Sequence, residues 1–126
     1  MALFKIELED ALVAAVKAAP VGMFFKEYAV ISRRSPVRAK SIRVSLDEEN
    51  EGRAMGQSQV VLLLEATGEP ERNEAELEFA LRNLPQTITA GTQELRNELD
   101  DYTVERGEVE SGMATDELRA TLNLIP

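Results

Sequence analysis

The chain contains no cysteine, no histidine and no tryptophan. Without cysteine there is no disulfide, no thiolate zinc site and no thiol redox chemistry. Without histidine the commonest general base and metal ligand is missing. Aromatic residues make up only 5% of the sequence, so Leu, Val and Ala must fill any core. No apolar run approaches the roughly 20 residues that span a bilayer, so no membrane span is expected. Met1-Ala2-Leu3-Phe4 leads into a charged amphipathic segment and not into the apolar stretch of a secretory signal. An intracellular protein is the expectation.

What is present is enough chain for one domain, residues 1–126, with a core of two layers. The charge is uneven. Residues 1–64 carry nine Lys/Arg and eight Asp/Glu, a net +1. Residues 65–126 carry five Lys/Arg and fifteen Asp/Glu, a net −10 that dominates the total of −9. Yet Tyr28 to Leu46 holds Arg33, Arg34, Arg38, Lys40 and Arg43 without a single acid. An acidic chain therefore has one basic segment.

The strongest local signal runs from Gln57 to Leu84. Five apolar residues in a row, Val60, Val61, Leu62, Leu63 and Leu64, precede a Thr67-Gly68-Glu69-Pro70 turn. Such a run, β-branched at its start and bounded by turn residues, predicts a strand buried on both faces. From Glu71, Leu77, Leu81, Leu84 and Ile88 recur at three and four, with Ala80 beside them, which predicts a helix covering that strand.

In chain order, Leu8, Ala11, Leu12, Ala15, Val16 and Ala19 form a helical stripe that Pro20 and Gly22 end. Lys26 to Arg33 reads as a weak strand or an extended connection. Ser41 to Leu46 alternates as a strand, with Ile42, Val44 and Leu46 on one face and Arg43 on the other. Asp47 to Gln57 reads as a long acidic loop. After Pro85, Thr92 to Leu99 is expected as a short helix through Leu95 and Leu99. Tyr102 to Arg106 follows as a strand, Gly107 to Thr115 as a second acidic loop, and Asp116 to Leu124 as the last strand. This order predicts an α+β domain, an antiparallel sheet of four to five strands with two main helices packed on one face. Val60 to Leu64 would then be apolar on a face without helices, and a neighbouring subunit is the economical cover.

No residue pattern demands catalysis, and no cofactor is implied. The run from Asp47 to Gly52 begins like a calcium loop, but position twelve is Ser58 where a bidentate Glu is needed, and strands flank it, so no metal is expected. The carboxylates, Asp100-Asp101 among them, carry no sign of burial or pairing. The basic segment lacks a nucleic-acid motif and sits in a strongly acidic chain, so specific nucleic-acid binding is not expected. It reads either as a solvated strand edge or as a patch that meets the acidic half of a neighbour, a heterologous contact able to close a ring. The candidate interface residues are thus Arg33, Arg34, Arg38, Lys40 and Arg43, with Val60, Val61, Leu62, Leu63 and Leu64.

In order and spacing the sequence resembles the minor tail protein U family of phage tail terminators. The likeness lies in the N-terminal helix with Ala14-Ala15-Val16, and in Ser35-Pro36-Val37 leading into Ile42-Arg43-Val44. It continues through the acidic Asp47–Gly56 loop before Gln59–Glu65 and through the helix Glu74–Leu84. The match is nearest at Tyr102-Thr103-Val104-Glu105-Arg106, a loop with Gly112, then Ala114-Thr115-Asp116-Glu117-Leu118. Between Leu84 and Tyr102 it is loose. The resemblance implies a non-catalytic, hexameric ring in the virion tail, assembled in the host cytoplasm. Such a ring caps the tail tube protein, stops its polymerisation and offers a joining surface to the head–tail connector protein. Another tail or head–tail junction component, a small non-catalytic interaction subunit, and an enzyme with an unmarked carboxylate site are the alternative readings.

Overall fold

A computed structural model describes residues 2–18, 28–32, 40–51, 58–90 and 92–125. Their order is α1 (Ala2–Ala18), β1 (Ala29–Ser32), β2 (Ser41–Glu51), β3 (Ser58–Gly68), α2 (Pro70–Arg82), β4 (Thr87–Ala90), β5 (Gln93–Glu105) and β6 (Ala114–Ile125). The domain is α+β. Its single sheet has six strands in the order β1-β2-β3-β6-β5-β4. It is mixed, because β1 runs parallel to β2 while every other neighbouring pair is antiparallel. The expected four to five antiparallel strands are thereby corrected. The parallel partner β1 comes from Lys26 to Arg33, the segment read as a weak strand or an extended connection.

The apolar run settles in the centre of the sheet. β3 pairs with β2 on one side and β6 on the other, Val44 and Leu118 flanking Leu64. Val60, Leu62, Leu64 and Ala66 are fully buried, and so are their neighbours Leu118, Ala120 and Leu122. Leu8, Leu12 and Val16 of α1 and Leu77, Ala80 and Leu81 of α2 join them in one core. Both helices therefore cover the same face. Ala19, the last member of the expected α1 stripe, lies outside the described residues.

α2 packs on the central strands β3 and β6, whereas α1 touches β1 and β2 at one end of the strand order and β4 at the other. Six strands laid flat would span about 24 Å. A helix is only about 10–12 Å across with its side chains. The sheet must therefore curl around α1 to bring both margins against it.

Several local expectations fail for identifiable reasons. Thr92 to Leu99, expected as a short helix, is a turn residue followed by strand from Gln93. Gln93–Leu99 forms the first half of β5, and the strand expected separately at Tyr102–Arg106 is its second half, ending at Glu105. Ile88, expected to extend the α2 stripe, lies in β4 opposite Leu95. Pro85 forces that change, since a helix cannot continue through it. Asp47–Glu51 extends β2 and pairs with β3 beyond a bulge between Leu46 and Glu48, so the expected loop shrinks at that end. Residues 52–57 lie outside the described set. Beside the bulge, the Leu46 N–H donates to Glu9 Oε2 at 3.0 Å, which gives a buried carboxylate on α1 a defined partner. The second acidic loop is a tight turn: Ser111 and Gly112 have φ of 54° and 78°, and Glu110 and Met113 exchange two backbone hydrogen bonds across them. Two successive positive φ values match the hairpin turn that suits right-handed strand twist, and Gly112 takes the second at no steric cost.

Candidate functional site

Two features stand out from a plain helix-on-sheet core. One is a buried polar corner at the junction of β3, α2 and β6. The other is the sheet face that bears no helix.

The corner is built by a tight connection. β3 ends at Gly68, and α2 begins at Pro70, whose missing N–H suits the first helical position. This brings Asn73, on the first turn, under the start of β6. Asn73 is fully buried. Its Oδ1 accepts from the Tyr28 hydroxyl at 2.6 Å. Its Nδ2 lies 2.9 Å from the Ala114 carbonyl, 3.2 Å from the Gly68 carbonyl and 3.2 Å from Asp116 Oδ2. The other Asp116 oxygen accepts from the Gly107 N–H at 3.0 Å. A Cβ on residue 68 would stand 2.2 Å from the Tyr28 hydroxyl oxygen, so the corner closes only around glycine.

Burial, and then the nearby carboxylate of Glu76, push the Tyr28 phenol up to about 12. The phenol thus stays protonated and donating. Every member of this chain of contacts has a partner, so the corner acts as a staple joining the residue before β1 to α2 and β6. Beside it opens a cleft of about 240 Å³ lined by Tyr28, Lys40, Gly68, Glu69, Arg72 and Met113. Among the described residues no group of three or more carboxylates is arranged to hold a metal ion.

On the helix-free face, the odd-numbered residues of β3 and β6 lie outward. Val61 and Leu63 form an apolar centre and are half-buried in the single chain. Polar pairs surround them. Arg43 Nη2 meets Glu65 Oε1 at 2.8 Å, Arg119 Nε meets Glu117 Oε1 at 2.7 Å, Gln59 donates to Asn123 at 3.3 Å, and the Thr67 and Thr115 hydroxyls are 3.0 Å apart.

The residues expected at an interface are thereby separated. Val60, Leu62 and Leu64 belong to the core and meet the helices. Val61 and Leu63 alone lie on the open face. Arg43 also lies there, as its alternation requires, but directly opposite Glu65, so its charge is answered within the chain. Lys40 is exposed immediately before β2, at the same end of the strand as Arg43; its carbonyl accepts from the Ala29 N–H and its N–H donates to the Thr67 carbonyl. Arg33, Arg34 and Arg38 lie outside the described residues.

Sequence reasoning missed the corner because Asn73 and Tyr28 carry no pattern of their own. The available signal was Gly68-Glu69-Pro70, a turn too tight to leave the first helical turn in solvent. No model of a known protein family matches the chain, and no curated protein matches it either.

Proposed function

We propose that this chain is a structural assembly subunit of the phage tail-terminator type. In this reading it has no catalytic role and no cofactor. Six copies form a ring that caps the tail tube, stops its growth and presents a surface to the head–tail connector. The protein is built in the host cytoplasm and resides in the virion tail. The observation that carries the reading is the helix-free sheet face, where Val61 and Leu63 form an apolar centre with a rim of paired polar groups. An apolar core within a polar rim is the ordinary anatomy of a protein contact. The order of elements agrees with the resemblance in the N-terminal helix, the β2–β3 pair, α2 and the closing strands, and departs from an antiparallel sheet at β1.

Native mass measurement over a range of concentration tests the ring, and electron microscopy of tubes assembled with and without the protein tests the cap. A hexamer and tubes of limited length are expected. Tubes that grow equally long in its presence would remove the terminator reading. A hexamer without effect on tubes would leave an interaction subunit of another kind.

A further inference from the structure

The cleft beside the polar corner and the turn between β5 and β6 stand at the same end of the sheet. The cleft is bounded by Gly68 at the end of β3, by the start of α2 and by Lys40 at the entry to β2. Met113 connects the two, since it lines the cleft and exchanges two backbone hydrogen bonds with Glu110 across the turn. Lys40 and Arg72 bring two cations to the cleft and Glu69 one acid, while Tyr28 and Met113 supply carbon surface. Lys40 keeps a left-handed backbone, φ 55°, fixed between the Ala29 N–H and the Thr67 carbonyl, so its side chain starts from a set position on the rim. The volume of about 240 Å³ falls below the roughly 300–1,000 Å³ of small-molecule pockets and suits a single side chain.

The turn is a knob of matching character. Glu108, Val109 and Glu110 are all exposed, and Val109 at 60% is the most exposed large apolar side chain among the described residues. A Cβ on Gly112 would meet nothing within 4 Å, so the tip projects clear of its own chain. The hydrogen bonds across Ser111 and Gly112 hold the tip in shape. Its base is tied too, by the pair of Arg106 with Glu74 and by the Gly107 N–H donating to Asp116.

We propose that this knob enters the cleft of a second copy of the chain, and that the two copies do so reciprocally. Val109 fills the space against Tyr28 and Met113 of the other copy, and Glu108 and Glu110 face its Lys40 and Arg72. Within one chain Val109 stays in solvent, so only another molecule can cover it. Knob and cleft share one end of the sheet, so a two-fold axis lets each copy give one knob and receive one, which closes the pair. In a chain of net charge −9, this surface lets two copies meet with opposite signs facing. With one anchor per copy, the pair is weak and concentration-dependent. It does not rest on the ring reading, which uses the helix-free face of the sheet and not the ends of its strands.

Sedimentation velocity over a range of concentration reads the pair, with thermal melting as the control for folding. A doubling of mass as concentration rises is expected. Val109→Asp weakens the pair by roughly tenfold or more, and so does Lys40→Glu with Arg72→Glu. Glu108→Lys with Glu110→Lys weakens it likewise. Mixing the two charge-reversed proteins restores pairing, because each knob then meets a cleft of opposite sign. The chain has no cysteine, so Val109→Cys and Met113→Cys can be prepared separately, mixed and oxidised. A disulfide between the two variants is expected, in excess over either variant linked to itself. A wild-type protein whose mass never doubles overturns this contact and leaves the ring reading untouched. So does a pair that ignores the reversed charges and gives no mixed disulfide. Pairing as expected beside tubes that grow unchecked overturns the ring reading and upholds the contact.

Discussion

β3 and β5 are the two strands that flank β6, and they share little else. β3 has 11 residues, is apolar along its middle and is fully buried on alternate positions. β5 has 13 residues, is acidic, and exposes nearly all of its second half. Both are strands because β6 lies between them and pairs with each along most of its length. The difference teaches that β3 is held by side-chain burial and β5 by the ladder to its neighbour. Changes to side chains should therefore be severe in β3 and mild in β5.

The largest effect is expected at Leu62. Leu62→Ala empties a site with no solvent access and should cost about 2–5 kcal/mol in urea unfolding. Leu99→Ala on β5, at 48% exposure, should stay within about 0.5 kcal/mol in the same experiment. Equal losses at the two sites would break the comparison.

The end of β3 sharpens it next. Gly68→Ala drives a Cβ into the Tyr28 hydroxyl and should cost about 1–3 kcal/mol through forced repacking of the corner. A calorimetric Tm equal to that of the wild type would mean that the corner is loose.

Tyr28→Phe removes the donor to Asn73 Oδ1 and should cost about 1–3 kcal/mol at neutral pH. Its pH dependence carries a sign. The folded protein holds the Tyr28 proton up to about 12, above the ordinary 10.0 of the unfolded chain. The stability due to this group is therefore complete below pH 10 and is lost as pH rises toward 12. Denaturant melts across that window should fall more steeply for the wild type than for Tyr28→Phe. Parallel slopes would show that the phenol is not buried as described.

A small effect, comparable to that at Leu99, is expected at Arg43, which bridges β2 to the outward face of β3. Its pair with Glu65 is partly exposed, so Arg43→Ala should cost about 0–1 kcal/mol and lose that cost in high salt. A larger, salt-resistant loss would indicate a second partner on that face.

What the sequence determined by itself is the set of elements whose burial repeats with a clear period. The α1 stripe at Leu8, Leu12 and Val16, the alternation of Ile42, Val44 and Leu46 and the alternation from Leu118 to Leu124 specify both type and inward face, whereas the run from Val60 to Leu64 specifies a strand but not which of its faces is the core. Each such position carries its own transfer free energy, so the pattern survives without knowledge of neighbours. Only the tertiary structure decided β5, where Gln93 to Leu99 has too few apolar residues to mark a strand and becomes one by pairing with β4 and β6. It also decided β4, because Ile88 fits a helical spacing as well as a strand until Pro85 has ended the helix. Tyr28 and Asn73 are 45 residues apart, and nothing in either neighbourhood points to the other. Their hydrogen bond exists because the turn at Gly68 sets the first turn of α2 beside the entry to β1. The candidate interface followed the same division. Alternation put Val61 and Leu63 on one face of β3 and Val60, Leu62 and Leu64 on the other, but only helix packing decided which set is core, and the exposure of Leu99 and Tyr102 depends on β4 being only four residues long and on neither helix packing over them. Local burial can be written in a sequence because it is a property of single residues, while edges and corners are properties of where distant segments stop.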